Sequence, residues 1–452
     1  MSIFRAYDVR GVYPEEINEN LAKKIARTYA QIRQKELGRQ ELTLVVAHDM
    51  RLSSPSLYEA VKHGLLAEGV TVVEIGLTAT PVFYFTVAKY GYDGGLMISA
   101  SHNPPQYNGI KIVRDKALPF GEGSGMEELA ELVAQENFEI GTKEGKIIKK
   151  SDIMKEYLAQ ELLDIKINHG RSKKIKIVAD AANGMGSVYL RTMFDSMSNT
   201  ELVEMNFVLD GSFPAHEADP SKDENIKDLQ KKVVDEKADV GIATDGDGDR
   251  VFFVDEIGER IGMSVVLAIL SKLFLQDFPG AKICYDIRPG KITPETIVAN
   301  GGEAILSKSG NSFIKRKMIE DDASFGGELS GHIFLKFPYG IYEAPVWAIA
   351  KFIIALQESG QTLSEFTKPF RKYIHSGEIN FPVSNKEAVW QKLKIKYADA
   401  ELNELDGLSF SYPEVWFNIR GSNTEPLIRL NVEGLTKYNV QKIVEEVREM
   451  VG

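Results

Sequence analysis

The chain has 452 residues, 43% hydrophobic and 26% charged, with a formal net charge of −11. That length exceeds what one hydrophobic core normally serves, so several domains are expected. The acidic balance excludes a non-specific nucleic-acid binder, which needs a basic face. It leaves room for phosphate ligands held by a few local arginines. The single cysteine, Cys284, excludes an intrachain disulfide and suits a reducing compartment. No stretch is apolar and long enough to span a bilayer, and Met1–Asp8 has no apolar signal core. The expectation is a cytoplasmic protein with neither membrane nor nucleic-acid partners.

In chain order, Ile17, Leu21, Ile25, Tyr29 and Ile32 recur at helical spacing behind Pro14 and predict a first helix. Thr43–Ala47 reads as a buried strand, and Gly95–Ile98 as another. Residues 136–152 are polar and charged with two glycines, and read as a linker. Ile175–Ala179, Val240–Ala243, Val251–Val254 and Ala281–Tyr285 read as further buried strands. Glu256–Arg260 is either a domain break or a hairpin turn. Gln357–Ser364 is a third break. Val440, Ile443, Val444 and Val447 predict a last helix. This alternation means α/β layers. A Gly- or Asp-rich loop directly after a strand in each unit but the last hints at related units.

Four loops carry chemistry. The first is Ala100-Ser101-His102-Asn103-Pro104-Pro105. Two prolines stiffen its exit, it follows a strand where α/β sheets place ligands, and a serine hydroxyl there can carry a covalent group. It also reads as a plain turn. The second is Asp245-Gly246-Asp247-Gly248-Asp249-Arg250. Alternating glycines let the backbone aim three carboxylates at one point, and such a cluster suits Mg²⁺. An EF-hand is excluded: its sixth position, a glycine, would be Arg250, and the flanks are strand-like.

The third loop is Gly326-Gly327-Glu328-Leu329-Ser330-Gly331-His332. Its polar groups suit sugar hydroxyls and His332 suits a proton shuttle near neutral pH, while the segment reads at least as well as a glycine-rich turn with capping residues. Its serine is misplaced for a G-x-S-x-G elbow, so a serine hydrolase is not supported. The fourth is Arg420-Gly421-Ser422-Asn423-Thr424-Glu425-Pro426, with Arg429 nearby. Arginine, hydroxyls and backbone N–H groups in one tight loop form a phosphate cradle; the segment reads equally as an ordinary polar turn before the strand Leu427–Leu430.

These four segments, together with Phe4-Arg5-Ala6-Tyr7-Asp8-Val9-Arg10-Gly11, resemble the α-D-phosphohexomutases over essentially the whole chain, with the phosphomannomutase/phosphoglucomutase branch most similar. The resemblance implies four domains in a heart shape: three similar mixed α/β domains and a smaller C-terminal helix-on-sheet domain. The expected divisions are 1–148, 149–255, 256–362 and 363–452. It implies that Ser101 carries the phosphoryl group and that Asp245, Asp247 and Asp249 bind one Mg²⁺ together with the Ser101 phosphate. Arg250 would lie beside that loop. Glu328 and Ser330 would hold the sugar's 3- and 4-hydroxyls. Arg420, Ser422, Asn423 and Thr424 would grip the phosphate that is not transferred. Arg10, Lys111 and His332 would surround the reacting oxygen, with Lys111 and His332 as base and acid and His102 as a further candidate. A lysine acting as base needs a lowered pKa. The implied substrates are hexose phosphates and the implied intermediate and activator a hexose 1,6-bisphosphate, in a monomer or homodimer.

Asn423 and the glycine-spaced aspartates resemble the mannose/glucose branch rather than the glucosamine branch. Asn311 departs from a common histidine, and asparagine cannot become cationic. The alternatives are a phosphoglucosamine mutase, a phosphatase that loses its phosphoserine to water, and a non-catalytic sugar-phosphate sensor. The four loops are expected to converge on one cleft, with a hinge near 357–370.

Overall fold

The computed structural model describes residues 3–135, 144–163, 165, 173–421 and 427–451. Ser422, Asn423 and Thr424 lie outside them. The chain divides into two compact units. One is Met1–Arg260 with Ser330–Leu363; the other is Ile261–Leu329 with Ser364–Gly452.

The first unit opens with a six-stranded mixed sheet in the spatial order Val9–Val12, Tyr107–Arg114, Gly94–Ile98, Thr43–His48, Thr71–Leu77, Lys146–Lys149. Thr43–His48 is buried on both faces. Leu44 and Val46 pack into the core of Ile25, Tyr29, Leu57 and Leu65, while Val45 and Ala47 point to the opposite side. The first helix is Glu19–Leu37. It starts later than the spacing behind Pro14 predicts, because Asn18 caps it by accepting the Leu21 N–H. Ile17 precedes the helix yet is fully buried, which is why it completes the apolar pattern. The polar stretch 136–152 is not all linker: Lys146–Lys149 pairs parallel to Thr71–Leu77 as the exposed edge. Its lysines hide it from a strand reading and protect the edge. Residues 136–143 lie outside the described part.

A second sheet follows, in the order Val251–Asp255, Val240–Thr244, Ile175–Asp180, Thr200–Met205. Its inner pair is parallel, and Val251–Asp255 returns antiparallel to Val240–Thr244. Glu256–Arg260 is a tight turn, closed by Gly258 N–H to the Asp255 carbonyl at 2.9 Å. The unit is completed by the hairpin Ile333–Phe337/Gly340–Glu343 and the apolar helix Pro345–Ser359. That helix stops at Gly360, which takes φ 65°, a left-handed value glycine adopts without strain.

In the second unit Glu303–Ser307, Lys282–Asp286 and Phe325–Gly327 lie parallel in that order. Ile374–Pro382, Leu427–Gly434, Val415–Gly421, Leu408–Ser411 and Glu401–Asn403 form an antiparallel sheet. The helices Lys386–Lys396 and Lys437–Val451 bury Val389, Leu393, Val440, Ile443 and Val447 against Phe410, Phe417 and Leu430 of that sheet. No helix among the described residues is long and apolar enough to cross a membrane.

Candidate active site

Ser101 follows the strand Gly94–Ile98 and sits at φ 48°, a left-handed conformation that costs energy for a residue with a Cβ. Arg51 holds it there. Its fully buried guanidinium donates to the carbonyls of Ser101 (2.8 Å), Asn103 (2.6 Å), Pro104 (2.9 Å) and Tyr107 (2.9 Å). One planar fork thus fixes the whole loop.

Asp245, Asp247 and Asp249 follow the strand Val240–Thr244 and are fully buried, with ligand oxygens within 4.8 Å of one another. Asp245 Oδ1 accepts the N–H groups of Asp249 (3.1 Å) and Arg250 (3.2 Å). Its Oδ2 accepts the Ser101 hydroxyl at 2.8 Å. A Cβ on Gly246 would run into the Ser101 carbonyl, so only glycine lets the two loops meet. Burial, then the charges of Asp247 and Asp249, push the Asp245 carboxyl well above its usual range. Burial opposes ionisation of Asp247 and Asp249 too, but Lys111 outweighs it and holds both below the usual range, with His332 adding to the effect at Asp249. Asp247 Oδ1 is buried without a hydrogen-bond partner. Three converging carboxylates, one with an oxygen that meets no protein donor, fit a divalent cation.

Lys111, on the strand Tyr107–Arg114, spans Asp247 (2.7 Å) and Asp249 (2.8 Å). Burial disfavours its charge, yet the two aspartates raise its pKa well above the ordinary value, opposite to the lowering a lysine base requires. His332 Nδ1 lies 2.9 Å from Ser330 Oγ, and its Nε2 lies 3.2 Å from Asp249 Oδ1 and 3.3 Å from Arg250 Nε. With Nε2 bare the ring accepts from Arg250; with a hydrogen on Nε2, in the neutral tautomer or the cation, it donates to Asp249. His102 Nδ1 stands 3.3 Å from Ser101 Oγ. Desolvation, then Arg250 and Arg10, pull its pKa well down. Arg10 Nη1 donates to Asn103 Oδ1 at 2.6 Å, two residues beyond Ser101, and its other arm pairs with Asp8.

Within the second unit, Glu328 is buried and accepts the Gly310 N–H at 2.7 Å. Asn311 is the first residue of the helix Asn311–Glu320. Arg420 and Arg429 face each other on adjacent strands. Arg420 Nη2 pairs with Glu378 at 2.7 Å, and Arg429 Nη1 lies 3.5 Å from the same carboxylate, so the two arginines bracket Glu378. Arg288 donates to Asp286 at 2.6 Å and reaches Glu328 at 3.5 Å. Arg51, Thr80, Asp286, Arg288 and Glu378 all lie in these clusters, and the motif reading did not pick them out. Each is a lone polar residue with no local pattern. The usable signal was a charged residue at or just past the C-terminal end of a strand, as at Asp49, Arg51 and Asp286.

The chain matches four family models in succession. They are the phosphoglucomutase/phosphomannomutase alpha/beta/alpha domains I (residues 1–139), II (155–258) and III (262–373), and the C-terminal domain (378–450). It belongs to the phosphoglucomutase/phosphomannomutase family, with three mixed α/β domains and a smaller helix-on-sheet domain. A phosphomannomutase of Methanocaldococcus jannaschii is 36% identical, over 100% of this chain and 98% of that protein. Phosphohexose mutases of Xanthomonas campestris are 36% identical over 95% of this chain and 94% of theirs. A solved structure of a phosphoglucomutase/phosphomannomutase family protein from Burkholderia thailandensis is 31% identical with TM-score 0.88, covering 99% of this chain and 96% of that one.

Proposed function

We propose that this chain moves a phosphoryl group between the 1- and 6-positions of mannose and glucose phosphates, using Ser101 as the carrier. It is an isomerase of the phosphomannomutase/phosphoglucomutase class. The observation that carries the residue assignment is the Ser101 hydroxyl 2.8 Å from Asp245 in a buried cluster of three carboxylates.

In the first half-reaction the free sugar hydroxyl attacks phosphoserine 101. The new sugar O–P bond forms as the Ser101 O–P bond breaks, and the hydroxyl proton passes to a nearby base. The resulting hexose 1,6-bisphosphate turns round. Its other phosphate is then attacked by Ser101 Oγ, which restores phosphoserine and releases the isomer with a proton returned to its oxygen. Asp245, Asp247 and Asp249 would hold magnesium, which when bound supplies positive charge beside the transferring group. Arg51 keeps the Ser101 loop in its strained turn. Lys111 and Arg250 supply fixed positive charge next to the carboxylates. His102 and His332 are the proton-carrying candidates, one beside Ser101 and one beside Ser330 and Asp249. Glu328 and Ser330 would orient the sugar. Arg420, Arg429, Ser422, Asn423 and Thr424 would grip the other phosphate, with Asn311 as a neutral donor at that site. Arg10 steadies Asn103 and so the loop exit.

The division at 1–148, 149–255, 256–362 and 363–452 gives each domain one of these loops. A cytoplasmic location and a monomeric or homodimeric state complete the reading, which the family's sugar-phosphate chemistry supports. The test is a coupled assay on mannose 1-phosphate and glucose 1-phosphate with a trace of bisphosphate. The 6-phosphates should appear with wild-type protein and not with Ser101→Ala. Release of inorganic phosphate instead of isomer would replace the mutase reading with a phosphatase.

A further inference from the structure

The acidic loop meets the Ser101-bearing part of the chain at a second pair, Thr80 and Asp247. Thr80 is the first residue of the helix Thr80–Lys89 and is fully buried. Its Oγ1 donates to Asp247 Oδ2 at 2.6 Å, and its backbone N–H donates to the Asp247 carbonyl at 3.0 Å. Lys111 Nζ meets the same Oδ2 at 2.7 Å. Asp247 Oδ1, equally buried, meets no protein donor. The protein therefore loads one oxygen of this carboxylate and leaves the other bare.

The Thr80 hydroxyl is not spent on its own helix. The cap position is Ala79, and no side-chain bond caps the first turn. Its single proton goes to a residue 167 positions away. A carboxylate turning about its last bond exchanges its two oxygens. Two donors on Oδ2 fix that rotation, the bond to the backbone carbonyl fixes the main chain beneath it, and an outer hydrogen bond of this kind tunes how a ligand meets its ion.

We infer that Thr80 is a positioning residue for this site: it ties Asp247 Oδ2 and so presents Oδ1 to the cation. The inference rests on the reading of Asp245, Asp247 and Asp249 as a divalent-cation site. Thr80→Val keeps the branched shape and the backbone N–H and removes only the hydroxyl, so the helix start survives.

The experiment titrates Mn²⁺, followed by electron paramagnetic resonance, into the full-length wild type, Thr80→Val, Thr80→Ala, Thr80→Ser and Asp247→Asn, without sugar phosphate. Melting curves identify which variants are folded. Thr80→Val and Thr80→Ala are expected to bind Mn²⁺ about tenfold more weakly or worse. Thr80→Ser, which keeps the hydroxyl, should return close to wild type. In turnover with Mg²⁺ the valine variant should lose kcat with KM for glucose 1-phosphate little changed, and raised Mg²⁺ should recover part of the rate. Wild-type Mn²⁺ affinity in a folded Thr80→Val or Thr80→Ala overturns the inference and leaves the metal site standing. Mn²⁺ binding that is missing in wild type, or undiminished in Asp247→Asn, overturns the metal reading and the Thr80 inference with it.

Discussion

The Ser101 hydroxyl donates to Asp245 Oδ2 at 2.8 Å although the two residues stand 144 positions apart. Loops from two separate sheets therefore meet, each following the end of a buried strand. Neither loop has chemistry alone. A serine hydroxyl is a weak nucleophile, and three bare carboxylates repel one another. Together, on the proposed reading, they would carry a phosphoryl group and meet its charge.

The glycine between the first two aspartates is what allows this approach. Gly246→Ala adds a methyl that meets the Ser101 carbonyl and the Ala218 side chain. It removes no functional group, yet it should destabilise the fold by about 1–3 kcal/mol and lower kcat at least tenfold, roughly the cost of a small misplacement. Thermal melts and steady-state kinetics check both. Unchanged kcat would mean the loops need not touch.

Arg51 predicts a larger structural loss. Arg51→Lys keeps the charge but cannot reach four carbonyls with one ammonium. Carbonyls left without donors in a buried loop should cost about 2–4 kcal/mol, read by urea denaturation. The phosphorylated fraction of Ser101, read by peptide mass spectrometry, should fall as well.

Much of this was legible from local pattern. The Asp–Gly alternation at 245–249 and the proline-stiffened exit after Ser101 announce their geometry within a few residues. The central strands also read correctly, because Thr43–His48 and Val240–Thr244 are buried on both faces and so are continuously apolar. What escaped depends on register. Lys111 is legible from its motif, but its span of Asp247 and Asp249 is not, because that depends on its strand lying beside Gly94–Ile98 with Met97 opposite Lys111. Thr80 and Arg51 act through single atoms on partners far along the chain. The edge strand Lys146–Lys149 is exposed throughout, so it lacks the apolar signal that marks a strand.

A pH effect should come from Glu433. It is buried, accepts the Lys291 N–H at the start of the helix Ile292–Ala299, and has a carboxyl pushed up to about 7 by desolvation and then by Glu295. The ordinary value is 4.5. Between those values the folded protein binds more protons than the unfolded chain, so Glu433 makes stability fall as pH rises from 4.5 through 7. The full span is on the order of 3 kcal/mol. Glu433→Gln should flatten that part of the stability profile and match or exceed wild type at pH 8. A profile that keeps its slope in the variant would assign the effect elsewhere.

Sugar choice should be broad. Mannose and glucose differ only at carbon 2, while the expected contacts of Glu328 and Ser330 are to the 3- and 4-hydroxyls. Glu328 is fixed by the Gly310 N–H at 2.7 Å, so it offers both sugars the same carboxylate. The kcat/KM values for the two 1-phosphates should agree within about tenfold. A thousandfold preference would show that carbon 2 is read directly.

The most direct test of the central claim follows one phosphoryl group. Wild-type protein is mixed with glucose 1,6-bisphosphate labelled with ³²P, quenched within one turnover, digested and mapped by mass spectrometry. The label should reside on Ser101, chase into hexose 6-phosphate when unlabelled glucose 1-phosphate is added, and be missing from Ser101→Ala. Label on another residue, or isomer formed by the alanine variant at an undiminished rate, would contradict the account.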